Sequence, residues 1–96
     1  DLQLCTFGHM ADGNLHLLAW TNSGSEALKA QTVESIYQQV YEIVGDMNGT
    51  VSAEHGIGAM KRKYLHLCRS DEEIALMQLL KQTMDPKGIL NPNRVL

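Results

Sequence analysis

Four residues of this chain have side chains suited to catalysis or metal binding: His9, His16, Glu54 and His55. Each lies in or beside a glycine-containing segment rather than on a solvated helix. Imidazole and carboxylate groups suit zinc, manganese or iron, and three protein ligands with one open position are typical of a catalytic metal site. Such a metal acts as a Lewis acid on a hydroxyl or a carboxylate. The residue types therefore permit a metal site, with His55 left for acid–base chemistry near neutral pH.

The spacing of these residues leaves a second interpretation open. His9 and His16 are seven positions apart, which matches no standard local metal motif. They could equally be ordinary loop histidines that satisfy backbone groups, and His66, in an apolar stretch, fits that description best. Asp12 and Asn14 belong to residue types that stabilise turns by hydrogen bonding to their own backbone. Spacing alone does not choose between the two interpretations.

The composition indicates one small folded domain. The chain has 96 residues, of which 44% are hydrophobic and 20% charged, so it can form a single core. A net charge of −3 provides no basic excess for phosphates and argues against nucleic acid as a partner. No segment approaches the roughly 20 apolar residues of a membrane span, and no signal peptide is visible. Cys5 and Cys68 set no disulfide framework, so we expect a cytoplasmic location, or a mitochondrial one in a eukaryote.

The first half of the chain predicts a hairpin followed by a helix. Leu2 to Phe7 and Leu15 to Trp20 are apolar runs typical of strands, with Cys5 buried, and a wide loop joins them. This pairing would bring His9 and His16 to one end of the sheet. Ser23 to Glu26 matches a capping box. The helix that follows has apolar residues at the spacing of one buried face, is weakened by Gly45, and ends at Asn48-Gly49.

The second half predicts a second helix between irregular segments. Thr50 to Ser52 could form a brief third strand, and the loop after it holds Glu54 and His55. Lys61 to Lys63 is a basic cluster, either a solvated helical turn or an anion-facing patch. A capping box begins at Ser70, and the helix ends at Asp85-Pro86. The mixture predicts an α+β fold with a small antiparallel sheet and two main helices. The abrupt start and the small sheet suggest a piece of a longer protein.

Three segments resemble motifs of FAD-linked oxidases and occur in the same order. Residues 8–16, GHMADGNLH, resemble G-H-x-G-D-G-N-L-H, and residues 52–61, SAEHGIGAMK, resemble S-x-E-H-G-I-G-x-x-K. Residues 85–92, DPKGILNP, resemble the closing D-P-x-G-I-L-N-P segment. The motifs span nearly the whole chain. It therefore resembles the D-lactate, glycolate and D-2-hydroxyglutarate dehydrogenase group of the vanillyl-alcohol-oxidase-like flavoproteins.

The resemblance implies a fold, a reaction and roles for five residues. The fold would be the ferredoxin-like cap domain that lies over the flavin ring. The reaction would be oxidation of a D-2-hydroxy acid to a 2-oxo acid by FAD, most of which is held by a domain upstream. His9, His16 and Glu54 match the positions that bind a divalent metal in metal-dependent members. His55 matches the proposed base that takes the hydroxyl proton of the substrate. Asn91 matches the terminal segment that returns to the flavin domain, which implies a flavin contact there.

Two positions depart from the family's pattern. Ala11 replaces a glycine of the first motif, which is tolerated unless the backbone there needs a positive φ. Leu18 stands where the dehydrogenases often carry an asparagine, a candidate for substrate contact. This second departure puts the particular 2-hydroxy acid in doubt and leaves the metal ligands intact.

The sequence also permits two other classes of function. The chain could be a non-catalytic α+β association module without its flavin domain, dimerising through an exposed apolar face. A stand-alone metal hydrolase is also chemically permitted by His9, His16 and Glu54. If the chain is one part of a flavin enzyme, we expect the isolated chain neither to hold FAD tightly nor to turn over.

Overall fold

A computed structural model describes residues 2–22 and 24–96. Two strands and two main helices account for most of the regular structure: β1 (Leu2–His9), β2 (Asn14–Thr21), α1 (Glu26–Asp46) and α2 (Asp71–Met84). Short 3₁₀ helices lie at Met10–Asp12 and Arg62–Leu67. The chain divides into two compact units, residues 1–40 and residues 41–96, with the boundary inside α1. The prediction of an α+β fold with a small antiparallel sheet and two main helices is confirmed.

The first unit contains an antiparallel hairpin of β1 and β2. Its register runs without interruption from the pair Leu2–Thr21 to the pair His9–Asn14. The connection is tighter than the wide loop predicted, because the 3₁₀ turn is closed by a bond from the Gly13 N–H to the carbonyl of Met10 at 3.1 Å. Gly13 has φ +68°, a left-handed conformation that favours glycine. Both strands are longer than the apolar runs, because β1 continues through Gly8 and His9 and β2 also includes Asn14 and Thr21.

Alternation along the hairpin separates two faces. Leu2, Leu4, Leu15 and Leu17 share one face, which we call the apolar face, and all four side chains are exposed. Cys5 lies on the opposite face and is also exposed, so the prediction that it is buried was wrong. The physical reason is that a two-stranded sheet covers neither of its own faces. An apolar run therefore identified the strand but not its burial.

Helix α1 begins after Ser25, whose Oγ accepts a hydrogen bond from the Leu28 N–H at 3.3 Å. The capping box predicted at Ser23 lies outside the described residues. The predicted buried face is only partly buried, since Val33, Tyr37, Ile43 and Met47 are all exposed. The predicted stop is confirmed: Asn48 has φ +55°, and the N–H of Gly49 donates to a helix carbonyl at 2.7 Å.

The core of the second unit consists of Val51, Tyr64 and Leu65, which are 3–7% exposed. Gly45, predicted to be a weak point of α1, allows a close approach, because a Cβ there would lie 2.3 Å from the carbonyl oxygen of Leu67. The helix backbone thus packs directly against the 3₁₀ helix Arg62–Leu67. This contact gives the glycine a structural role that helix propensity alone did not suggest.

The brief third strand predicted at Thr50 to Ser52 is wrong, because these residues form no strand. The carbonyl of Val51 accepts a hydrogen bond from the Nζ of Lys61 at 2.9 Å. The hydroxyl of Thr50 accepts one from the Ser52 N–H at 3.1 Å. Side-chain hydrogen bonds thus take up backbone groups that a strand ladder would otherwise pair.

Helix α2 confirms its predicted limits. The Ser70 Oγ accepts a bond from the Glu73 N–H, and the Glu73 carboxylate accepts one from the Ser70 N–H, which is the capping box expected. The helix ends at Met84, before Asp85-Pro86. Within residues 2–22 and 24–96, no helix is both long enough and apolar enough to cross a membrane.

Candidate metal and substrate site

His9 and His16 lie on the same face at the turn end of the hairpin. His9 pairs with Asn14, and His16 pairs with Phe7. Directly paired residues of an antiparallel sheet share a face, as do residues two apart on one strand. The four residues therefore form one surface, which we call the imidazole face. Diagonal neighbours of this kind are about 7–8 Å apart at the backbone, within reach of long side chains, so the expectation that one sheet end carries both imidazoles is confirmed.

The two imidazoles have different surroundings. His9 is exposed, whereas His16 is half-buried. The ring of His16 is stacked on the ring of Phe7, with centroids 5.0 Å apart and planes 11° apart. Gly8 lies beside this pair with φ +138°. A Cβ at Gly8 would come within 3.3 Å of the His16 ring and 2.4 Å of the carbonyl oxygen of Asn14, so glycine is required for the strands to approach here.

The two departures from the family's pattern have different consequences for this face. Ala11 lies inside the 3₁₀ turn and is not among the residues with positive φ, so the alanine is tolerated as expected. Leu18 lies two positions after His16 and is exposed at 52%. It therefore places an apolar side chain on the imidazole face, next to His16 along β2.

Glu54 and His55 occupy the tip of a tight turn in the second unit. The Gly56 N–H donates to the carbonyl of Ala53 at 3.0 Å, which closes the four-residue turn around them. Both side chains are exposed, and Gly56 has φ +67°. We call residues 53–56 the His55 turn. It presents a carboxylate and an imidazole to solvent from a short, closed segment.

Bonds on both sides hold the His55 turn in place. Val51 precedes the turn, and its carbonyl accepts a hydrogen bond from the Nζ of Lys61. This Nζ lies 5.9 Å from the centre of the Tyr41 ring. After the turn, the N–H of Val95 donates to the carbonyl of Gly58 at 2.8 Å, with Val95 at φ +70°. Lys61 is half-buried and bonded to the backbone. Its position therefore favours support of the turn over an anion-facing patch.

The predicted metal ligands are divided between the two units. His9 and His16 belong to residues 1–40, and Glu54, with His55, belongs to residues 41–96. In the part of the chain that the structure describes, no group of three or more His, Cys, Asp or Glu residues could hold a metal ion. The hairpin brings the two imidazoles to one surface. The donor types fit a divalent metal.

Asn91 follows a loop organised by Asp85. The Asp85 carboxylate, buried at the end of α2, accepts hydrogen bonds from the N–H groups of Ile89 at 3.1 Å and Leu90 at 3.0 Å. It also accepts one from the Nζ of Lys81, which bonds in addition to the carbonyl of Leu90. The Lys81 ammonium, followed by these two N–H donors, holds the pKa of Asp85 below its usual range, against the opposing effect of burial.

The loop leaves Asn91 exposed, with φ +45°. Its side chain lines a groove of about 340 Å³ together with polar residues of α2 and the C-terminal segment, among them Lys81 and Arg94. An amide beside two cationic side chains can offer hydrogen bonds to a polar ligand. The position expected to contact flavin thus lies on an accessible surface of the second unit.

Phe7 and the pair Lys81–Asp85 were not identified from residue types. From the sequence, Phe7 is only the end of the first apolar run. The pairing register could have identified Phe7 as a neighbour of His16, since a one-to-one hairpin that pairs residues 9 and 14 places residue 7 opposite residue 16. For Asp85, the sequence predicts a helix end and the start of the closing motif, and a lysine four residues earlier is the signal for the ion pair.

These features describe an α+β domain that presents histidines from a hairpin end and from a short turn. The chain belongs to the family of FAD linked oxidases, C-terminal domain, whose profile matches residues 1–95. It is 38% identical over 95 residues to the glycolate oxidase subunit GlcD of Bacillus subtilis, covering 99% of this chain and 20% of that protein.

Two further relatives are D-2-hydroxyglutarate dehydrogenases. The protein of Stutzerimonas stutzeri is 38% identical over 104 residues, covering 99% of this chain and 21% of that protein. The mitochondrial protein of Bos taurus is 43% identical over 90 residues, covering 94% of this chain and 16% of that protein. The chain thus spans about a fifth or less of the length of these relatives. The resemblance stated from the three motifs is confirmed at the level of the family.

Proposed function

We propose that this chain is the C-terminal, substrate-side part of an FAD-dependent dehydrogenase that oxidises a D-2-hydroxy acid to a 2-oxo acid. The observation that carries the proposal is the placement of His9 and His16 on one face of a hairpin, within a domain of the FAD-linked oxidase family. The relatives are named for glycolate and D-2-hydroxyglutarate, both small 2-hydroxy acids. A small anionic substrate is consistent with a site built from imidazoles.

His9, His16 and Glu54 are the proposed ligands of a divalent metal, zinc, manganese or iron. The two imidazoles share a surface, and the carboxylate lies on a turn held by backbone bonds. A bound metal would supply Lewis-acid polarisation of the substrate hydroxyl or carboxylate. The three side chains would hold that metal and so would fix where the substrate oxygens bind.

His55 is the proposed base. Its imidazole is exposed at the tip of a closed turn, next to the proposed ligand Glu54. It accepts the proton of the substrate hydroxyl while the hydrogen on the same carbon leaves with its electron pair as hydride. FAD supplies the hydride acceptor. Loss of one proton and one hydride converts the alcohol carbon into the carbonyl of the 2-oxo acid.

Asn91 is the proposed flavin contact on this chain. Its exposed amide follows the loop held by Asp85 and lines the groove described above. Since most of the FAD would be held elsewhere in the full-length protein, the isolated chain should purify without stoichiometric flavin and without turnover. A purified chain that carries one yellow flavin per molecule would overturn that division of roles.

The test uses the full-length protein. Each D-2-hydroxy acid of a panel is added under anaerobic conditions, and loss of flavin absorbance near 450 nm is recorded, with the L enantiomers as controls. Elemental analysis of the same sample measures the metal, and a Glu54→Gln variant should lose it while a His66→Gln variant keeps it. No flavin reduction by any acid in the panel would contradict the proposed reaction, and an equal metal content in both variants would contradict the ligand set.

A second candidate, a non-catalytic association module, is favoured by one observation. The apolar face of the hairpin exposes Leu2 at 48%, Leu4 at 59% and Leu15 at 53%, and such surfaces commonly mark interfaces. Light scattering of the full-length protein would test a homodimer. Dimerisation without flavin reduction or metal binding would support this candidate against the enzyme.

The cytoplasmic or mitochondrial location remains a prediction that cell fractionation can test.

A further inference from the structure

The ring of His16 has two close neighbours on β1, Phe7 and Gly8, and Phe7 lies outside the three family motifs. The register pairs it directly with Phe7, and the two rings are stacked 5.0 Å apart. Their planes differ by only 11°. Since both residues belong to paired strands, the backbone itself keeps the two rings opposite each other.

Gly8 provides the space that this arrangement needs. A side chain at Gly8 would meet the Cδ2 of His16 at 3.3 Å and the carbonyl oxygen of Asn14 at 2.4 Å. The second distance is too short for any real side chain, so the close approach depends on glycine. Phe7 therefore restricts the plane of the imidazole, and Gly8 allows the ring to lie against the strand.

We propose that Phe7 and Gly8 form a seat that orients the His16 imidazole for metal binding before the metal arrives. This inference rests on the proposed metal site, in which His16 is a ligand. A ligand already held in place loses less conformational freedom on binding. A metal also draws electron density from the ring that binds it, and a more positive ring is favoured over the face of a phenyl group.

Phe7 is on this view a positioning residue, and its effect passes through His16. Stacked aromatic pairs contribute beyond their buried area by an amount that corresponds to a change of about three- to tenfold in a binding constant. The seat should therefore affect metal affinity by that order, while leaving the hairpin folded.

The experiment titrates cobalt(II) into the metal-stripped full-length protein and follows the visible d–d absorption band. Phe7→Leu removes the ring and keeps an apolar side chain, so it should weaken cobalt binding about three- to tenfold and change the shape of the band. Phe7→Tyr keeps the stacked ring and should restore both. Leu4→Ala is the matched control, since Leu4 is about as exposed on the same strand, at 59% against 52% for Phe7, but lies on the opposite face.

The outcomes separate this inference from the site on which it rests. Cobalt binding by Phe7→Leu that equals the parent protein overturns the seat and leaves the metal site standing. A parent protein that binds no cobalt overturns both. Equal weakening by Leu4→Ala would assign the effect to hairpin stability and overturn the seat. Should Phe7→Leu fail to fold, as judged by thermal unfolding, Phe7→Met decides the question by the same affinity and band shape.

Discussion

Lys81 and Asp85, one helical turn apart, act on the same stretch of backbone at the end of α2. The Lys81 ammonium bonds to the Asp85 carboxylate and to the carbonyl of Leu90, and the carboxylate accepts the N–H of Leu90. Both backbone groups of Leu90 are thereby held by one ion pair. The next residue is Asn91, the proposed flavin contact, so the pair connects the end of α2 to the placement of the residue proposed to meet the flavin.

Replacing Asp85 by asparagine should lower the thermal unfolding midpoint by several degrees. The carboxylate offers two acceptor oxygens to three donors, whereas an amide offers one oxygen and turns an NH₂ group toward a donor. Differential scanning calorimetry of the full-length protein measures the change. Asp46→Asn is the control, because Asp46 is exposed at the end of α1. Equal midpoints for the two variants would contradict the role given to Asp85.

The same carboxylate should make stability depend on acid pH. Its pKa in the folded protein is lowered below the ordinary 3.8, chiefly by the hydrogen bond from Lys81. A lowered folded pKa gives stability that is present above the unfolded pKa and is lost as the pH falls through the folded value. The free energy of unfolding should thus fall on acidification below about pH 4, and should fall less in Asp85→Asn. Urea titrations at a series of pH values from 6 to 3 give the free energy of unfolding of both proteins. If the parent and Asp85→Asn lose the same stability over this range, the explanation is wrong.

Substituting Gly45 by alanine should destabilise the domain, although alanine is the better helix former by about 1 kcal/mol. The added Cβ would lie 2.3 Å from the carbonyl oxygen of Leu67, and overpacking of this kind costs about 1–3 kcal/mol. The clash should exceed the gain in propensity. Gln31→Ala, at an exposed position of α1, gives a gain in helix propensity without the clash. A Gly45→Ala variant more stable than the parent in urea denaturation would show that α1 does not pack this closely.

Pattern and chemistry predicted the hairpin, both helices and the capping box at Ser70, because each depends on local sequence. What they could not predict was which apolar residues are covered. Cys5 lies in a convincing apolar run, yet it is exposed, since burial depends on a partner layer that a strand pattern does not encode. The strand predicted at Thr50 to Ser52 does not form for a related reason: the carbonyl of Val51 accepts a hydrogen bond from Lys61, ten residues away.

For the candidate site, the sequence predicted the residues and their roles but not their arrangement. The types of His9 and His16 suggested ligands, and the motifs assigned them a role, but only the register placed both rings on one face. The stack of Phe7 on His16 followed from that register and from no motif. The assembly of His9, His16 and Glu54 into one metal site remains a prediction, because the hairpin and the His55 turn belong to separate units.

The most direct test of the proposed function is flavin reduction by a His55→Asn variant of the full-length protein. Rapid mixing with the best D-2-hydroxy acid under anaerobic conditions measures the rate of the hydride step, with His66→Asn as the matched control. Loss of a base typically slows such a step about 10²- to 10⁴-fold, so we expect His55→Asn to fall by that factor with metal and flavin content unchanged. His66→Asn should reduce flavin at the parent rate. A His55→Asn variant that also reduces flavin at the parent rate would contradict the account of this chain as the proton-accepting side of the active site.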